Sequence, residues 1–145
     1  MNGAVVLAEA RLWLGTPYRH QASCRGAGAD CLGLVRGVWR ALYGREPVEV
    51  PAYTPDWSEP ARDEVLMREA RALLCEVPAA EAAPGDVLLF RMREGAVAKH
   101  LGILAQPAPE PSFLHAYSGH GVVESSLSAP WQRRIVGTFR FPERG

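Results

Sequence analysis

The sequence predicts a single α+β domain, with helices in the first half of the chain and an antiparallel sheet of about five strands in the second. Apolar residues recur at helical spacing in the N-terminal half, whereas short apolar runs bounded by Gly and Pro follow residue 84. No internal repeat or low-complexity linker divides the chain. We therefore expect one domain over residues 1–145.

The first two helices have recognisable start and stop signals. One is predicted from Ala4 to Leu14, with Asn2 as its cap and Gly15 as its stop. The next begins at Cys31, continues through apolar residues at helical spacing, and stops at Gly44. This placement puts a cysteine in the first turn of an amphipathic helix.

A Pro-rich segment, residues 45–60, separates the second helix from the third. Its four prolines exclude a regular element, so we expect an ordered surface excursion that forms either a groove wall or a docking surface. Ser58 is the predicted cap of the third helix, with Pro60 in its first turn and the helix ending near Leu74.

From Pro84 onward the pattern is that of strands separated by turns. The five predicted strands are 87–93, 100–104, 113–117, 122–125 and 135–141.

Composition and charge exclude several function classes. Sixteen basic and sixteen acidic residues give zero net charge, and no arginine cluster in the sequence suggests a phosphate site, so nucleic acid is not an expected partner. No apolar run approaches the ~20 residues of a membrane span. The N-terminus lacks the basic start and apolar core of a signal peptide, so we expect synthesis in the cytoplasm without export by the general secretory route. Three irregularly spaced cysteines are expected to be reduced.

Cys31 is the strongest candidate for a nucleophile. It follows a Gly-rich loop and Asp30, and the N–H groups and dipole at a helix start favour a thiolate, which predicts a pKa below the ordinary ~8.5. A lone cysteine in a helix is otherwise a small buried apolar residue. Cys24 has no comparable placement, and Cys75 is predicted to pack at the end of a helix.

His100 and His115 are the candidate partners of the thiol. They lie in short apolar strands fifteen residues apart, and neighbouring antiparallel strands can place both imidazoles on one face. His100 would then be the general base and His115 the group that orients it. The alternative is that both are half-buried residues satisfied by the backbone. His20 and His120 are expected in loops, where they border a substrate groove or are solvated.

Metal and cofactor motifs are weak. His20, Cys24 and Cys31 offer three possible zinc ligands, but the closely spaced cysteine pair of structural zinc sites is missing. The Gly26-x-Gly28 pair follows no strand and lacks the third glycine of a dinucleotide motif. No metal or organic cofactor is therefore expected.

Tyr18 and Asp30 are the predicted supporting residues of the site. The Tyr18 hydroxyl would help to stabilise the oxyanion, together with backbone N–H groups at the start of the Cys31 helix. The alternative for Tyr18 is a core aromatic residue with its hydroxyl at the surface.

Three motifs resemble those of NlpC-type cell-wall peptidases. GTPYRHQASCRGAGADCLGLV is similar to the GxPY…GxDCSGLV signature, AKHLGIL to the catalytic-histidine strand, and FLHAY to the strand with the third polar residue. The resemblance implies a compact papain-like fold with Cys31 as nucleophile, His100 as base, His115 as orienting residue and Tyr18 as the active-site tyrosine. Leu32 stands where most of the wider family has Ser, and the phage-tail branch commonly carries Leu.

The whole chain resembles that phage-tail and gene-transfer-agent branch, which implies hydrolysis of an amide bond in peptidoglycan stem peptides. The expected target is the D-glutamyl–diaminopimelate bond favoured by the wider family. Delivery would come from a tail or gene-transfer-agent particle, with tail-tip proteins as partners. Two alternatives remain: an amidase or acyl transferase acting on another acyl substrate, and a structural tail-tip protein with an occluded or vestigial site.

Overall fold

A computed structural model describes residues 2–54 and 63–143. The helices are α1 (Gly3–Arg11), α2 (Cys31–Tyr43), α3 (Val65–Leu73) and α4 (Ala129–Arg133). The strands are β1 (Ser23–Cys24), β2 (Gly28–Ala29), β3 (Cys75–Glu76), β4 (Val87–Arg91), β5 (Ala98–Gln106), β6 (Ser112–Tyr117), β7 (Gly121–Ser126) and β8 (Ile135–Arg140). None of these helices is long and apolar enough to cross a membrane.

The main sheet is antiparallel, in the order β3-β8-β4-β5-β6-β7. The α+β prediction is therefore confirmed, but the sheet has six strands instead of about five. The additional strand is β3, which pairs with β8. Its Cys75 is exposed, so the prediction that this residue packs at a helix end is wrong. The chain leaves α3 one residue earlier, because Leu74 is already extended.

The capping signals of the first two helices are confirmed. The Asn2 side chain accepts a hydrogen bond of 2.8 Å from the N–H of Ala4, and Gly44 ends α2 with a φ of 91°. α1 is shorter than predicted, because it gives way to turns after Arg11. α3 also begins later than predicted, at Val65, while Ser58 and Pro60 lie outside the described residues.

The sheet separates two apolar clusters, as alternating side chains on its strands require. On one face, Val87, Leu89 and Ile103 pack with α1, α2 and α3. On the other, Leu88, Phe90, Leu104, Phe113 and Leu127 pack with Trp131 of α4. α4 was not predicted from the sequence, although it covers the second face of the sheet.

Candidate active site

Cys31 opens α2, where Asp30 forms the N-cap. One carboxylate oxygen of Asp30 accepts a 2.7 Å hydrogen bond from the N–H of Gly33, which satisfies one of the unpaired donors at a helix start. Both Asp30 and Cys31 are buried. The sequence-based placement of the thiol in the first helical turn is thus confirmed.

The second oxygen of Asp30 ties two other segments to the site. It accepts hydrogen bonds from the N–H of Gln21 at 2.7 Å and from the hydroxyl of Tyr53 at 2.5 Å. His20 lies beside it, with Nδ1 3.8 Å from the same oxygen. Asp30 therefore holds the loop before Cys31 and Tyr53 of the Pro-rich segment against one helix start.

The thiol lies against the first part of β5. The Sγ of Cys31 is 4.0 Å from the carbonyl oxygen of Lys99, and the N–H of Leu101 is hydrogen-bonded to the thiol. These two backbone groups lie beyond the paired part of β5 and β6, whose last pair at this end is Ile103 with Leu114. The thiol therefore contacts backbone groups of β5 next to His100.

His100 and His115 form a hydrogen-bonded pair, as the strand spacing predicted. The Nε2 of His100 is 2.8 Å from the Nδ1 of His115, whose Nε2 is in turn 2.9 Å from the hydroxyl of Ser125. His115 is fully buried. If His100 carries its proton on Nε2, it donates to His115, which donates to Ser125. In this arrangement the Nδ1 of His100 is left free to accept a proton.

Trp131 covers the histidine pair from the second face of the sheet. Its ring centroid lies 5.7 Å from that of His100, 5.3 Å from that of His115 and 5.3 Å from that of Phe90. On the same side, His115 stacks on Tyr117, which stacks on His120 at 5.3 Å. Aromatic side chains therefore shield both imidazoles from water on this face of the sheet.

Burial keeps the thiol and both imidazoles uncharged. It lowers the pKa of His100 from 6.5 to about 3, with a smaller contribution from His115. It also lowers the pKa of His115 to about 4, with a smaller contribution from His120. Burial, followed by the charge of Asp30, raises the pKa of Cys31 to about 12, while backbone hydrogen bonds offset only part of this.

The expectation of a lowered thiol pKa is therefore wrong in this structure. The helix start and its N–H groups do favour the thiolate, but burial beside Asp30 opposes it more strongly. Tyr18 shows the same influences, because burial and the charges of Cys31 and Asp30 raise the pKa of its hydroxyl.

A cleft of about 130 Å³ opens onto the thiol. Its lining consists of Tyr18, His20, Asp30, Cys31, Tyr53, Met92, Lys99, His100, Ala116, Tyr117 and Ser118. Of the predicted site residues, only His115 lies behind the lining, in contact with His100. Cys24 is exposed in β1 and is not part of the cleft.

Sequence reasoning did not single out several side chains near the thiol and the imidazoles. Tyr53 and Lys99 line the cleft, Ser125 bonds to His115, and Trp131 covers the pair. Tyr53 belongs to the Pro-rich segment, so the described part of that segment contributes to the groove wall. No three His, Cys, Asp or Glu side chains among residues 2–54 and 63–143 are grouped so that they could hold a metal ion.

Comparison with known families identifies the domain. Residues 15–140 match the model of the NlpC/P60 family, a match that covers most of the chain. The chain belongs to the NlpC/P60 family. No curated protein is similar enough in sequence to count as a relative.

Solved NlpC/P60 structures share the fold of this chain. The NlpC/P60 domain of the peptidoglycan hydrolase SagA is 22% identical, with a TM-score of 0.65 over 97% of this chain and all of that one. An NlpC/P60 family protein from Bacillus cereus is 15% identical, with a TM-score of 0.67 over 97% of this chain and 40% of its own. A lipoprotein-like family member from Staphylococcus aureus is 22% identical, with a TM-score of 0.63.

The chain thus spans the full SagA domain but only about two-fifths of the two longer proteins, covering 40% of one and 42% of the other. Identities this low establish the fold alone. The family resemblance seen in the sequence is confirmed, and its phage-tail branch stays a prediction.

Proposed function

We propose that this protein is a cysteine peptidase that hydrolyses an amide bond in peptidoglycan stem peptides. The observation that carries the proposal is the buried, hydrogen-bonded pair of His100 and His115, whose first member lines the same cleft as Cys31. Membership of the NlpC/P60 family supports a cell-wall substrate, and SagA, whose domain shares this fold, is itself a peptidoglycan hydrolase.

In the proposed reaction, Cys31 is the nucleophile and His100 the general base. Because the Nε2 of His100 is occupied by His115, its Nδ1 accepts the thiol proton as Sγ attacks the substrate carbonyl carbon. A C–S bond forms and the oxyanion is stabilised by N–H groups at the start of α2, with the Tyr18 hydroxyl beside them.

Collapse of the intermediate breaks the C–N bond, and His100 gives its proton to the leaving amine. The acyl group now remains on Cys31 as a thioester. His100 then takes a proton from a water molecule, which attacks the thioester carbonyl. As the C–S bond breaks, His100 returns this proton to Sγ, which releases a carboxylic acid and the free thiol. His115 holds the imidazole of His100 in one orientation and tautomer throughout.

The proposed target is the D-glutamyl–diaminopimelate bond, and the proposed setting is a phage-tail or gene-transfer-agent particle that carries the domain to the wall. Support for this setting comes from the sequence motifs alone. Two rivals use the same geometry: an amidase or acyl transferase acting on another acyl group, and a structural tail-tip protein that performs no reaction. The intact Cys31, His100 and His115 favour an enzyme.

Digestion of purified diaminopimelate-type sacculi tests the proposal. We expect the wild type to release peptides whose masses identify the broken bond, whereas Cys31→Ala and His100→Ala release none. Cys24→Ala is the matched control, because it removes an exposed thiol outside the cleft and should retain activity. Cleavage by Cys31→Ala would refute the mechanism. Cleavage of simple acyl esters but not sacculi would favour the amidase or acyl transferase, and no cleavage by the wild type would favour the structural protein.

A further inference from the structure

Four arginines surround a surface cavity of about 480 Å³ near the cleft. We call this the arginine cavity, and its lining is Arg91, Met92, Arg93, Glu94, Pro130, Arg133 and Arg134. Glu94 is the acidic residue of this lining. No such cluster is visible in the sequence, because these arginines come together only in the folded chain.

The cluster forms because β4 pairs with β8. Phe90 is opposite Ile135 in that pairing, and the N–H of Arg91 donates to the carbonyl oxygen of Arg134 at 2.9 Å. The pair Arg91 and Arg93 is thereby placed beside the pair Arg133 and Arg134, which lies far along the sequence. Arg91 and Arg134 are half-buried, and the backbone hydrogen bond between them fixes where their side chains leave the sheet.

The arginine cavity adjoins the cleft that holds the thiol. Met92 lines both, so a ligand that extends past Met92 would pass from one to the other. A second link lies at the end of α4, where the guanidinium of Arg134, the residue after the helix, is 5.5 Å from the centroid of the Trp131 ring, which contacts His100.

Like charges brought together in a fold repel one another, and an anion placed among them removes that repulsion. The planar fork of arginine suits carboxylates, to which it donates two parallel hydrogen bonds. In an amide of a dicarboxylic amino acid, a free carboxylate remains close to the bond that is cut. We propose that the arginine cavity binds a free carboxylate of the peptide substrate, which makes it a specificity site for acidic stem peptides.

This inference rests on the proposed function, so its test compares substrates as well as variants. The substrates are an acidic stem peptide and the same peptide with its free carboxylates converted to amides. The wild type should have a kcat/KM about tenfold higher for the acidic peptide, mainly through KM, since one bidentate contact of moderate exposure contributes about a factor of ten. This preference should shrink as salt screens the charges.

The test variant is Arg91→Gln combined with Arg133→Gln, which leaves Arg134 on the ring of Trp131. It should lose most of the preference for the acidic peptide. The matched control is Arg71→Gln, which removes an exposed arginine of α3 that pairs with Glu76, and it should keep the preference.

The outcomes separate this inference from the proposed function. If the wild type cleaves both peptides at equal rates, the peptidase stands and the carboxylate site is refuted. If it cleaves neither, the proposed function fails. Binding of both peptides to the Cys31→Ala protein then decides the site, and equal affinities would refute it. Binding of poly(glycerol phosphate), with no discrimination between the peptides, would overturn the carboxylate assignment in favour of a wall phosphate.

Discussion

The protonation state of Cys31 has a consequence that chemical modification can measure. Replacing Cys24 and Cys75 by Ser leaves Cys31 as the reactive thiol, and iodoacetamide then reports its thiolate fraction. With a pKa of about 12, the thiolate fraction at about pH 8 is on the order of 10⁻⁴, whereas a thiol of ordinary pKa near 8.5 is about one-quarter ionised.

We therefore expect Cys31 to be alkylated about a thousandfold more slowly than free cysteine at this pH, apart from any further loss due to its burial. The sign follows from the direction of the shift: a raised thiol pKa reduces the thiolate at every pH below it. The rate should rise about tenfold per pH unit up to about pH 10, with no plateau near neutrality.

His100→Ala in the same background is the decisive companion variant. Because the imidazole is neutral in the resting site, its removal should change the alkylation rate of Cys31 little. A plateau below about pH 8 that disappears in His100→Ala would instead reveal a preformed thiolate–imidazolium pair. That result would refute the argument that burial dominates the charge state. Slow alkylation, conversely, is not a sign that the site is merely structural.

Three further predictions concern the histidine pair. Trp131→Leu should move the acid limb of the kcat/KM profile to higher pH, because water admitted to the His100–His115 pair raises the pKa of His100 from about 3. An unchanged pH profile would argue against shielding by the Trp131 ring. Ser125→Ala should lower kcat about tenfold, because it leaves the Nε2 of His115 without its hydrogen-bond partner. Ser125→Thr, which keeps a hydroxyl, should retain most of the wild-type kcat. Equal losses of kcat in both variants would point to a packing role for Ser125. The temperature of the unfolding midpoint should fall as pH drops from about 6.5 toward 4, because both imidazoles have lowered pKa values in the folded state and the unfolded chain therefore binds more protons. His115→Asn should weaken this pH dependence in thermal melts. An unchanged dependence of the midpoint on pH in this variant would contradict the prediction.

Hydrophobic periodicity and turn residues in the sequence predicted the longer helices and strands. The long strands β4 to β8 alternate or run apolar between turn residues, and α2 shows helical spacing between a cap and Gly44. The elements that were missed are short: β1, β2 and β3 have two residues each, and α4 has five. Segments of this length carry no detectable period, since their pairing is decided by distant neighbours.

The same distinction applies to the site. Cys31, His100 and His115 stand in recognisable local patterns, so the sequence could rank them. Tyr53 and Ser125 have no local sequence signal. Tyr53 is placed by its hydrogen bond to Asp30, 23 positions away, and Ser125 by its hydrogen bond to His115, 10 positions away. The direction of the Cys31 pKa shift was predicted wrongly, because a helix start can be recognised in a sequence and the depth of burial cannot.

Asp30 shows why the residue before the nucleophile is a carboxylate even though its charge opposes the thiolate. Its two oxygens accept three hydrogen bonds, from Gly33, Gln21 and Tyr53. An asparagine would keep the cap but turn an N–H₂ group toward the N–H of Gln21, placing donor against donor. The helix start, the preceding loop and the groove wall therefore depend on one charged group. The charge of Asp30 also raises the pKa of the Cys31 thiol. In the proposed reaction the thiol therefore loses its proton to His100 as it attacks, and no thiolate has to form beforehand.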